Sequence, residues 1–276
     1  MRFRSYEKNG TQGVAVQDGD VWRDLGAVSL IDLLANGAHA QIDLAGKPEI
    51  DMAVVTLLPP IPLPPKFICV GLNYVDHAAE SPYKDLPTYP AFFPRFNSSL
   101  IADGAALVRP RASHEFDFEG ELAVIIGKTA RHVSKEDALD HVAGYSIFND
   151  GSIRNYQFLS VQWTPGKNFD GSGAFGPDLI TADELPLGAT GLKLETLLNG
   201  EVMQSGNTAD LIFPVAELIA KASEFTTLEP GSVIATGTPA GVGFARKPPI
   251  FLKDGDLCEI RIEQLGSLRN PVRDEA

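Results

Sequence analysis

Short apolar runs, bounded by glycine, proline and aspartate turns, set the rhythm of this chain. FRSYE, GVAVQDG and DVWRDLG predict strands near the N-terminus, and SLIDLLANG predicts a short helix ended by Gly37. FICVGLN, GELAVIIGK, GYSIFND, LKLETLLNG, GSVIATG and LCEIRIE predict further strands, with short helices near 134–141 and 214–224. The strands come in runs without regular crossover helices. That pattern predicts a mixed, β-rich α+β fold in preference to a doubly wound sheet.

Between these regions lies LLPPIPLPPKF, with prolines at 59, 60, 62, 64 and 65. Such a run neither continues a helix nor sits centrally in a sheet. It predicts a division into a small β-rich N-terminal domain (1–58), a proline-rich linker (59–66) and a main domain (67–276).

The 276 residues, 44% of them hydrophobic, suffice for one large core. No apolar run is long enough to cross a bilayer, and MRFRSYEKNG lacks the apolar centre of a signal peptide. Cys69 and Cys258 lie in apolar segments and read as buried free thiols. A cytoplasmic protein is expected, with no membrane partner. The net charge of −13, without a Lys/Arg-rich stretch, argues against nucleic acid. An acidic protein can still take an anionic substrate by concentrating positive charge locally, and a bound cation would do so.

FDFEGELAVIIG carries the strongest chemistry. On a strand, Glu119 and Glu121 project from one face with Cα atoms roughly 6.6–6.8 Å apart. Adjacent carboxylates repel unless a cation or proton lies between them. Asp150, which ends GYSIFND, supplies a third. Three carboxylates without cysteine or histidine make a hard oxygen site, suited to Mg²⁺ or Mn²⁺, with Ca²⁺ also compatible and Zn²⁺ disfavoured. Taken alone, E-x-E also suits a solvated strand face, and Asp150 a turn.

Elsewhere, Asn73 is placed to cap a short helix on which His77 and Glu80 stand three residues apart, within mutual reach. A carboxylate-held imidazole can deprotonate water, although such a pair also occurs as a surface salt bridge. SPYKDLPTYPAFFPR is rich in proline and aromatics, and residues 72–95 read as an irregular lid over substrate. In TGTPAG, Gly237 allows close backbone approach, and the Thr238 hydroxyl and amide could hold a substrate carboxylate. GSGAFG (171–176) matches the dinucleotide-binding pattern literally, but lacks its preceding strand and following helix. No G-x-S-x-G elbow is present.

Together the blocks ICVGLNYVDHAAE, FDFEGELAVIIG, FNDGSIRNYQ, GKNFD, LNGEVMQSGNT, LEPGSVIATGTPAGVG and LGSLRNPV resemble the fumarylacetoacetate hydrolase superfamily, in its acylpyruvate hydrolase-like branch. The resemblance implies coiled mixed β-sheets around a metal and, usually, a homodimer. It also implies Glu119, Glu121 and Asp150 as metal ligands, His77 and Glu80 as the pair that activates water, Lys167 as an active-site cation and Gln157 as a substrate hydrogen-bond donor.

The implied activity is hydrolysis of a C–C bond in a β-diketo acid such as maleylpyruvate or fumarylpyruvate, in aromatic or sugar-acid catabolism. Isomerisation or decarboxylation of muconate-type diacids is the rival within the family, and a silent metal- or ligand-binding protein the rival outside it. Arg95 stands near where the family often has lysine, and Gly151, Ser152 and Asn155 replace the common Val, Thr and Asp. At the end of the lid, Arg95 could grip the far carboxylate of a dicarboxylic substrate or pair with a surface acid, and the sequence leaves both open.

Overall fold

A computed structural model describes residues 1–80 and 86–276. The unbroken apolar run in GELAVII predicts a strand with no solvent face, and Gly120–Ile126 is buried at every position. Its side chains alternate between two cores. Leu122, Val124 and Ile126 pack with Leu194, Ile260 and Leu268, whereas Ala123 and Ile125 pack with Phe3, Leu30 and Phe175. Truncating Leu122 to alanine would cost about 2–5 kcal/mol, as large-to-small changes in a dense core do.

Among the described residues this strand lies inside an eleven-stranded mixed sheet. Its hairpin partner is Val142–Asn149, with Glu121 opposite Phe148. On its other side Val233–Ala235 runs antiparallel to it and parallel to Phe67–Gly71. A second, five-stranded sheet packs over the first through Leu194 and Ile260. Gly120 permits that approach, because a Cβ there would lie 2.3 Å from Thr196 Oγ1. The strands expected from the apolar runs all form, and so do the helices Leu30–Ala35 and Val215–Phe225. No described helix is long and apolar enough to cross a membrane.

Several expectations are corrected. Arg2 and Phe3 pair with Ile180 and Leu179, so residues 2–8 extend the large sheet. The proline run packs along this sheet. Ile61 is buried, and the Ser5 hydroxyl donates to the Pro60 carbonyl at 2.7 Å. Prolines lack a donor but keep an acceptor, and that is the group used here. The helix expected near 134–141 is only a 3₁₀ turn, Ala138–His141. Ser134 and Asp137 hydrogen-bond each other locally, a bonding mode that competes with helix.

Ala91–Pro94, expected to be irregular, is an edge strand on Phe67–Gly71. Pro94 sits at its end, where a missing donor is tolerated. Residues 81–85, the middle of the stretch read as a lid, with Tyr83 and Lys84, lie outside the described residues.

Candidate metal centre and active site

Glu121 opens the central strand, Glu119 precedes it, and Asp150 follows the hairpin partner, whose Asn149 faces Gly120. The Asp150 amide donates to the Glu119 carbonyl at 2.9 Å, which holds the two chain ends together. Carboxylate oxygens of Glu119, Glu121 and Asp150 all lie within 4.8 Å of one another, and all three residues are buried.

Burial together with the charges of Asp150 and Glu119 pushes the Glu121 carboxyl well above the usual range. Glu119 loses free energy by burial too, but Lys167 and Arg154 hold it down to about 2. The Gly237 amide donates to Glu121 Oε2 at 3.0 Å, and no cationic side chain among the described residues reaches Glu121. Like charges left uncompensated, in a set of oxygen ligands alone, fit a hard divalent cation. The trio could hold one.

Three cations surround the trio. Lys167 is buried, and its Nζ donates to Glu119 Oε2 at 2.8 Å and Asp150 Oδ2 at 2.7 Å. Burial opposes its charge, but Asp150 and Glu119 outweigh burial and raise its pKa. Arg95 differs from expectation. Pro94 still pairs with Ile68, and the Arg95 amide donates to the Phe67 carbonyl at 2.9 Å, so the sheet turns the side chain inward.

The Arg95 guanidinium is buried and donates to Asp150 Oδ1 at 2.8 Å, to Ser172 Oγ at 3.0 Å and to the Gly151 carbonyl. Its donors are engaged with Asp150 and the residues beside it, so it does not stand at a lid tip to read substrate. Gly173 makes room for it, since a Cβ there would meet Arg95 Nη1 at 2.5 Å.

Arg154 is the third cation, and the sequence reading assigned it no role. It forms an ion pair with Glu119 Oε1 at 2.7 Å and donates to Gln157 Oε1 and to Asp117 Oδ2, both at 2.8 Å. Its spacing of three from Gln157, on the helix Arg154–Gln157, was the available signal. Gln157 lines the same cleft, and with its carbonyl oxygen engaged it retains its amide donor.

His77 and Glu80 lie on the helix Val75–Glu80, with His77 Nδ1 a long 3.4 Å from Glu80 Oε2. The Gly241 amide donates to both Glu80 oxygens, at 3.0 and 3.1 Å. Asn73 does not cap this helix. Its carboxamide is taken by the Phe213 amide and carbonyl and by the Thr236 carbonyl.

A cleft unites His77, Glu119, Glu121, Asp150, Arg154 and Lys167, with Phe93, Trp163 and Phe244 on its apolar walls. Thr238 lines it too, but its hydroxyl donates to the Gly120 carbonyl at 2.9 Å and accepts from Gln204 at 2.8 Å. The Gly237 amide serves Glu121, and its φ of 99° is one that side chains rarely adopt. The Gly237 amide and the Thr238 hydroxyl, two of the groups expected near a substrate carboxylate, are thus engaged in the scaffold. The rejected glycine pattern runs into the strand Gly173–Thr181, not a helix.

Residues 66–273 match the family model described as fumarylacetoacetate (FAA) hydrolase C-terminal. The human mitochondrial oxaloacetate tautomerase FAHD2A is 44% identical over 82% of this chain and 72% of its own. A fumarylacetoacetate hydrolase from psychrophilic Exiguobacterium antarcticum superposes over 100% of both chains, with a TM-score of 0.89 and 38% identity. The maleylpyruvate hydrolase of Sphingobium sp. SYK-6 also superposes over 100% of both, with a TM-score of 0.83 and 32% identity. With three-quarters of its length under the family model and a strand-rich fold shared throughout with such structures, the chain belongs to the fumarylacetoacetate hydrolase family.

Proposed function

We propose that this protein is a divalent-cation enzyme that moves protons on a small 2-oxo acid held as its enolate. Mg²⁺ or Mn²⁺ is the expected ion. The observation that carries the reading is that His77, backed by Glu80, lines the same cleft as the carboxylate trio. The cation would supply Lewis-acid stabilisation of negative charge on the 2-oxo oxygen.

The chain's own groups do the rest. Glu80, fixed by the Gly241 amide, orients the His77 imidazole and stabilises it when protonated. Arg154, Gln157 and Lys167 put donors around the anionic end of the substrate. Phe93, Trp163 and Phe244 reduce the water near them, which strengthens those contacts.

The same base supports two outcomes. Acting on a C3–H bond, His77 interconverts keto and enol forms, and the 44% identity to an oxaloacetate tautomerase favours this reading. Acting on water, it starts hydrolysis of an acylpyruvate C–C bond; the carboxylate-held base and the maleylpyruvate hydrolase likeness favour that one. Tautomerisation of a four-carbon 2-oxo diacid is placed first and acylpyruvate hydrolysis second, in a homodimer as in the family at large.

One experiment separates them. Mn²⁺-loaded protein is given oxaloacetate, with the enol absorbance followed, and separately acetylpyruvate, maleylpyruvate and fumarylpyruvate, with pyruvate detected. Accelerated loss of the enol with no pyruvate from the panel supports tautomerisation. Pyruvate from the panel supports hydrolysis. Activity on neither set, or full activity after EDTA dialysis, sinks the proposal.

A further inference from the structure

Phe116–Asp117 and Ser152–Ile153 form a two-stranded ribbon with Asp117 opposite Ser152. The ribbon sets the residue two before Glu119 beside the helix that carries Arg154. Asp117 is fully buried and does not belong to the carboxylate trio. Its Oδ1 accepts the amides of Phe118 and Gly243, both at 2.8 Å. Its Oδ2 accepts the Phe244 amide at 3.0 Å and Arg154 Nε at 2.8 Å.

A carboxylate at that depth is tolerated because its pairing is complete. Gly243 is a condition of this arrangement. A Cβ there would fall 2.5 Å from Asp117 Oδ1 and 1.9 Å from the Ile250 carbonyl oxygen.

Arg154 is not complete. Asp117 grips its Nε edge, and the Phe244 ring lies 4.4 Å from its guanidinium carbon. Nη1 is shared between Glu119 and Gln157, and Nη2, although buried, has no partner among the described residues. A planar guanidinium held along one edge and one face has little freedom to turn. The Asp117 grip therefore decides where the remaining donor points. The loop that supplies Phe244 to the cleft wall is tied to the same carboxylate, so wall and donor share one anchor.

We propose that Asp117 is a positioning residue that aims Arg154 Nη2 at the anionic end of the bound substrate; this rests on reading the cleft as a 2-oxo acid site. Asparagine at 117 keeps the shape but removes the charge and one acceptor. It cannot accept all four donors, so Arg154 is freed to turn toward Glu119 alone.

Oxalate titrated calorimetrically into Mn²⁺-loaded protein reads this without turnover, since two adjacent carboxylates resemble a 2-oxo acid enolate in shape and charge. Asp117→Asn should weaken oxalate binding by about 10–100-fold, the scale of losing an outer-shell partner, and leave Mn²⁺ binding unchanged. The decisive comparison is made in an Arg154→Met background. There Asp117→Asn should bring only a small further loss, because without Arg154 the substitution touches the tether of the Phe244 wall alone. That pair also leaves neither charge unpaired, so the comparison stands even where Asp117→Asn alone folds poorly, as its melting curve would show.

Undiminished oxalate binding in Asp117→Asn, or a loss in the Arg154→Met background as large as in the wild type, overturns the inference alone. Wild-type protein that binds Mn²⁺ but not oxalate overturns the substrate reading as well.

Discussion

Two networks of acids and bases sit on this scaffold, and they are built to opposite ends. On the five-stranded sheet, Glu259 accepts Arg261 Nε and Nη2 at 2.8 and 2.9 Å and Arg269 Nε at 2.8 Å. Both arginines are about half exposed, and hydrogen bonding from Arg261, then Arg269, holds Glu259 down to about 2. Every charge there has its answer. At the cleft, Lys167, Arg95 and Arg154 answer Glu119 and Asp150, but among the described residues Glu121 has a backbone amide only and Arg154 Nη2 has nothing. On the proposed reading, finished pairing marks scaffold, and unfinished pairing marks where a cation and an anion would arrive.

The sharpest way to break this contrast is Glu121→Gln, which removes the unanswered charge. Activity should fall to background, and Mn²⁺ should no longer raise the melting temperature, as a thermal-shift titration would show. A binding isotherm like that of the wild type would mean the trio is not the ion site. Next in size is His77→Ala, where kcat should drop by about 10²–10⁴-fold, the usual range for losing a general base. Mn²⁺ affinity should stay constant, and a wild-type kcat would put the proton transfer on another group.

Arg95→Met should weaken Mn²⁺ binding by about 10–100-fold, because it loosens a ligand that it orients. Its effect should be the same for mono- and dicarboxylic substrates. A KM change confined to dicarboxylates would restore the expectation that Arg95 reads the substrate. Smallest of all, Glu259→Gln should leave kcat unchanged and cost about 1 kcal/mol or less, since its partners are solvent-screened. The sign of its pH dependence is definite. A depressed carboxyl stabilises the fold above its unfolded value of about 4.3 and loses that contribution as the pH falls toward about 2. Melting curves of the variant should therefore decline less steeply over that acid range than those of the wild type.

How far the sequence revealed the centre depended on what kind of signal each residue left. Glu119, Glu121 and Asp150 were legible because period-2 spacing and a strand end state their direction outright, and the family blocks agree. Lys167 and the dyad rode on those blocks. Arg95 was misplaced because a proline-rich stretch reads as irregular, whereas Pro94 closes an edge strand that turns the arginine inward. The packing of the proline run was hidden for a similar reason, since a run without N–H donors still has carbonyls with which to pack. Arg154 and Asp117 are joined only through a ribbon of two short strands, and no local periodicity announces a contact across 37 residues.

The turn from 237 to 244 reaches three acids of the candidate site with main-chain amides alone: Gly237 to Glu121, Gly241 to Glu80, Gly243 and Phe244 to Asp117. Instructions issued by the backbone survive a change of side chain, provided the glycines keep their conformations. Such a turn is a natural place for retooling, because exchanging Phe244 would reshape the wall of the cleft while every acid kept its tether. An engineer seeking to change which substrate the cleft accepts would begin there.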